Sequence, residues 1–133
     1  MSTTSKSTFT IKDWKDETLK ELGGETKLTR TRATQSYEGA IVGEGVVEYL
    51  MFSGADGVTH FTGFERIAAS LDGKAGSFII QHIGTFAGEP SSAWTIVAGS
   101  GTGELAGIVG TGSYAAKDGV MEVTVVYDLG AIT

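Results

Sequence analysis

GSFIIQHIGTFAGEPSSAWTIVAGSGTGELAGIVGTGSY, residues 76–114, decides how the chain folds. It opens with a run that is apolar on both faces. Phe78, Ile80, His82 and Phe86 share one side of residues 77–86, and Ile79, Gln81 and Ile83 the other. A strand bearing Trp94 follows at residues 92–98, and then a series of glycines. Short apolar runs bounded by Gly, Pro and Ser read as strands rather than helices.

Outside this stretch the same reading holds. Twenty glycines and a single proline, Pro90, favour many strands joined by tight turns. Alternation marks strands at residues 8–14, 27–37, 46–52, 58–71 and 120–129, with a short piece near 112–116. In 120–129 it is clean: Met121, Val123, Val125, Tyr127 and Leu129 on one face, Glu122, Thr124 and Asp128 on the other. Asp56-Gly57, Asp72-Gly73 and Asp118-Gly119 are hairpin signals. Residues 13–25 are charged, end in Gly23-Gly24 and read as a loop; Arg30 and Arg32 share a strand face and read as an exposed polar surface. The expected fold is all-β, a single small antiparallel closed β-barrel of about eight strands, because closure removes exposed edges.

With 133 residues one domain is expected, residues 8–133, after a disordered Ser/Thr-rich tail at 1–7. The absence of cysteine excludes disulfides, thiolate metal sites and a cysteine nucleophile. A net charge of −6 without any Lys/Arg cluster argues against nucleic acid as a partner. No apolar leader or membrane-spanning run is present, so the expected location is cytoplasmic, with no membrane partner. Two histidines without HxH or HxxxH spacing and scattered carboxylates point to no metal, and no cofactor is expected. Strands apolar on both faces suggest an outer face covered by another subunit, hence a homo-oligomer.

The segment Gly101-Thr102-Gly103-Glu104-Leu105-Ala106-Gly107 approaches a dinucleotide fingerprint, but Ala106 stands where the third glycine belongs. Turn chemistry, with Thr102 capping one helical turn, explains it more simply. Three segments together carry a resemblance: GEGVVEYL (43–50), FTGFERIAASLDGKAGSFIIQHIGTF (61–86) and WTIVAGSGTGELAGIVGTGSY (94–114). The chain resembles the bacterial DUF3224 family, a domain of unknown function. The resemblance implies a barrel similar to that of the allene oxide cyclases, lipocalin-like in architecture and hollow, and it implies no activity. The glycine turn also resembles that of the dirigent barrels.

Candidates for chemistry are Glu44, Glu48, Tyr49, His60, Glu65, Arg66, Gln81, His82 and Trp94. A carboxylate inside an apolar barrel has a raised pKa and suits general acid–base work, and a histidine can share its proton. Glu48, Glu65 and His82 are the catalytic candidates, with structural hydrogen bonding the plainer reading of each. Glu65 and Arg66 are adjacent on a strand, so only one of them faces inward. The expected function is binding of a hydrophobic or amphipathic small molecule. Tyr49, Phe64, Phe78, Ile80 and Trp94 would line the interior, with Gln81 or His82 orienting the ligand. A cofactor-free isomerase or cyclase, and a structural protein with a solid core and a working outer surface, are the alternatives.

Overall fold

Alternating burial along each strand is the dominant pattern of the computed structural model, which describes residues 2–130. Its elements are β1 (Thr3–Gly23), β2 (Thr26–Gly39), β3 (Ile41–Ser53), β4 (Thr59–Leu71), β5 (Lys74–Phe86), β6 (Pro90–Ile96), β7 (Thr102–Gly103), β8 (Val109–Lys117) and β9 (Val120–Asp128). All nine strands join one antiparallel sheet, and the described residues contain no helix. None, therefore, is long and apolar enough to cross a membrane. The sheet closes on itself, because β1 pairs with β9 and β4 with β5; the result is a ring of eight strands, with β7 as a two-residue appendage on β5.

Two of the Asp-Gly signals make tight hairpins. Asp72-Gly73 and Asp118-Gly119 have φ of +50 and +83, and of +52 and +80, the paired positive values of a type I′ turn, whose twist matches the flanking strands. Two other segments depart from expectation. The stretch read as a disordered tail is strand from Thr3 onward, with Thr3 opposite Tyr127 and Phe9 opposite Met121. Closing the ring gives these polar residues a partner that composition could not reveal, and the Ser7 hydroxyl accepts from the Ile41 amide at 2.9 Å. Met1 lies outside the described residues.

The second departure is residues 13–25, which continue β1 instead of forming a loop. They pair with β2 as far as Gly23 opposite Thr26, with irregularities near Lys12, Leu19 and Leu22. Opposed charges, Glu17 across from Arg30 and Glu21 across from Lys27, let a polar sequence hold a two-stranded extension. Because β9 follows β1 only to Phe9, this extension projects beyond the ring.

The end of the ring away from the extension is packed solid by Ile41, Ile67, Leu71, Phe78, Leu105 and Ile108, none more than 0% exposed. The glycine series delivers Leu105 and Ile108 to that core. Thr102 does not cap a helical turn: its hydroxyl accepts from the Ser77 amide at 3.0 Å and meets the Ser77 hydroxyl at 2.7 Å, which ties the turn to β5. Outside, Val46, Leu50, Phe52, Phe64 and Ile83 stand exposed, so the two-faced hydrophobicity read from the sequence is a feature of the surface.

Candidate functional site

Strand register brings three polar side chains together in the middle of the ring. Glu65 on β4 lies opposite Ile80 and His82 opposite Gly63, so Glu65 and His82 are diagonal neighbours on the inner face. His82 also pairs with Trp94 on β6, which places Ser92 on its other diagonal. Glu65 Oε1 is 2.7 Å from His82 Nε2, and His82 Nδ1 is 3.1 Å from Ser92 Oγ. In the neutral imidazole, Nε2–H donates to the carboxylate and Nδ1 accepts from the serine.

On the far side, the Tyr37 hydroxyl reaches Glu65 Oε2 at 2.5 Å and Gln35 Oε1 at 3.0 Å. These contacts cross over β3 at Gly45, and only glycine fits there: a Cβ would lie 1.9 Å from Glu65 Oε2. Glu65 and His82 are both 0% exposed, so the line from Gln35 through Tyr37, Glu65 and His82 to Ser92 runs entirely inside the protein. Most charged and polar groups at such depth are partnered.

Aromatic rings enclose this line. His82 packs edge-on against Tyr49 and Trp94, with centroids 5.2 and 5.3 Å away, and against Tyr114 at 6.1 Å. Burial pushes the Tyr37 and Tyr49 hydroxyls well above the ordinary tyrosine value of 10, and the Glu65 charge adds to both. Burial likewise pushes Tyr114 up to about 12. All three stay protonated at neutral pH, and Tyr37 donates its proton to Glu65.

Above the rings, toward the projecting hairpin, lies a cavity of about 310 Å³, at the small end of the range typical of ligand sites. Phe9, Met51 and Phe61 form its walls, and the exposed Ile11, Trp14 and Phe86 stand at its mouth beside Pro90, Thr59 and Met121; Gln35, Tyr49 and Tyr114 close its inner end. The Tyr49 hydroxyl is buried without a partner of good geometry, although Tyr114 and Gln35 lie close enough to influence it. A larger groove of about 870 Å³, running past Leu50, Phe52, His60 and Ile83, is more open to solvent and shares Met51, Phe61 and Tyr114 with the cavity. Among the described residues no three His, Cys, Asp or Glu side chains gather to hold a metal ion.

The expected site residues divide. Tyr49, Glu65, His82 and Trp94 meet in the interior, and Phe78 and Ile80 are buried in the solid part of the core. Three others face out. Glu48 is exposed and 3.4 Å from Arg30 on the outer surface; Phe64 is 56% exposed; Gln81 lies opposite Phe64 on the same outer face. The reason is parity: β3 turns its odd-numbered residues inward, Val47, Tyr49 and Met51, and leaves Glu48 outside. Of the adjacent Glu65 and Arg66, Glu65 is the inward one, and Arg66 bonds Ser77 Oγ at 3.3 Å. Gln35, Tyr37, Ser92 and Tyr114 escaped the sequence reading. A signal for the first two existed, since exposed Arg30 and Arg32 oblige Gln35 and Tyr37 to face inward.

A family model described as protein of unknown function (DUF3224) matches residues 5–127. A crystal structure of a protein of unknown function from the DUF3224 family of Shewanella oneidensis MR-1 superposes with a TM-score of 0.81 at 23% identity, covering 98% of this chain and 100% of that one. It shares the fold. No curated protein matches the sequence.

Proposed function

The chain belongs to the DUF3224 family, and from that premise and the geometry of its interior we propose that the ring is a barrel of the allene oxide cyclase or lipocalin kind, which binds a hydrophobic or amphipathic small molecule. The observation that carries the reading is the Tyr49 hydroxyl, buried and unpartnered at the inner end of an otherwise apolar cavity. A donor left without an acceptor in a dry interior costs free energy, and a ligand oxygen removes that cost. The ring offers such a ligand one entrance, since its other end is filled by Leu105 and Ile108.

Binding ranks ahead of isomerisation for a geometric reason. The acid–base pair that a cofactor-free isomerase needs is Glu65 with His82, but neither lines the cavity, and the Tyr49 and Tyr114 rings that pack on His82 do. The polar line reads as the support that fixes those rings. A solid-core structural protein would have no use for the cavity.

Native mass spectrometry of the protein purified from its own host tests the proposal. A small-molecule adduct is expected on the wild type and not on Met121→Trp, which fills the mouth. Bare protein under several growth conditions would overturn a tight-binding role.

A further inference from the structure

The inner end of the cavity holds a hydrogen-bond donor without an acceptor, the buried Tyr49 hydroxyl. Tyr49 and Tyr114 each bring a hydroxyl proton, and the two hydroxyls are near neighbours, each altering the acidity of the other. When one donates to the other, one proton is still left over. The Tyr37 proton goes to Glu65 Oε2 at 2.5 Å, and Gln35, whose Oε1 lies 3.0 Å from the Tyr37 hydroxyl, makes no hydrogen bond of good geometry to Tyr49. Tyr49 is 3% exposed, so bulk water does not reach it freely.

Charge narrows the class further. No lysine, arginine or histidine lines the cavity, whereas the Glu65 carboxylate lies just behind it and acts on Tyr37, Tyr49 and Tyr114 alike. An anion entering here would lose its hydration, find no counter-charge and meet a like charge. An alcohol oxygen could accept as well, but it brings a proton that needs an acceptor of its own. A carbonyl oxygen brings two lone pairs and no proton.

We infer that the cavity takes an uncharged carbonyl compound, a ketone, aldehyde or ester on an apolar body, whose oxygen accepts from Tyr49 and Tyr114. This rests on the reading of the cavity as a binding site, and the experiment separates the two. A medium-chain methyl ketone, the fatty-acid anion of equal length and the hydrocarbon of equal length are titrated at neutral pH into the wild type, Tyr49→Phe and Tyr114→Phe. Tryptophan fluorescence reports binding, Trp14 standing at the cavity mouth, and thermal melting identifies variants that remain folded.

The ketone is expected to bind roughly tenfold more tightly than either analogue. Removing a tyrosine hydroxyl should bring it down to the level of the hydrocarbon, whose own affinity stays unchanged. Equal or tighter binding of the anion, or ketone affinity indifferent to both substitutions, overturns the carbonyl class and leaves the cavity as an apolar site. If no probe binds, the hydrocarbon included, the binding reading fails and the inference with it.

Discussion

At the scale of single residues, the interior depends on a missing side chain. Gly45 leaves open the space through which Tyr37 reaches Glu65, and a Cβ there would collide with Glu65 Oε2. Gly45→Ala is therefore expected to destabilise the protein by about 1–3 kcal/mol, the usual range for overpacking. Glu65→Ala, which strips Tyr37 and His82 of their common partner, should cost about 3–5 kcal/mol. In the double variant the added methyl finds the carboxylate gone, so the two costs should fall well short of their sum. Urea denaturation of the three variants measures this; strict additivity would disconnect Gly45 from Glu65. Much of this site was unreadable in sequence. Alternation told that Glu65 and Arg66 diverge, but not which one turns inward. Glu48 looked buried because Val46 and Leu50 beside it are apolar, and both of those face solvent as well.

At the scale of elements, the Asp-Gly hairpins and the clean alternation of β9 were legible because they are local. The two ends of β1 were not. Ser5 is a strand residue only because β9, far away in the sequence, lies beside it, and Ser7 has β9 on one side and Gly39 of β2 on the other. Residues 13–25 form strand only because β2 supplies opposite charges and tolerates the bulges. Those bulges, with Lys12, Lys15 and Lys20 among them, also blunt an edge that has no neighbour beyond Phe9. This division predicts a gradient within one strand. Amide hydrogens of Ser7, Thr8 and Phe9, the stretch flanked by both β2 and β9, should exchange far more slowly than those of the projecting half. Hydrogen exchange followed by NMR reads it directly, and uniform protection along β1 would mean that something else covers the edge.

At the scale of the whole molecule, all four tyrosines are held above their ordinary value of 10. Burial is the leading cause in each; Tyr114 and Tyr127 are pushed up to about 12, and Tyr37 and Tyr49 are also raised. A raised folded-state value means that the unfolded chain releases these protons first. The associated stability is complete below pH 10 and is lost as pH climbs toward and through 12. Tyrosinate absorbance should thus show no step near pH 10 in the native protein, and should rise only together with the loss of near-ultraviolet circular dichroism. Ionisation of even one tyrosine near pH 10 with the fold intact would contradict the packing described above. Ring closure itself carries a further consequence, in the order of synthesis. The seam between β1 and β9 joins the first strand of the ring to be made with the last. Until β9 is made, β1 can lean only on β2, and the half-built sheet presents an open inner edge along Thr3 to Phe9. The ring therefore cannot close until β9 has been made, and nascent chains stalled before residue 120 are the form of this protein most exposed to mispairing.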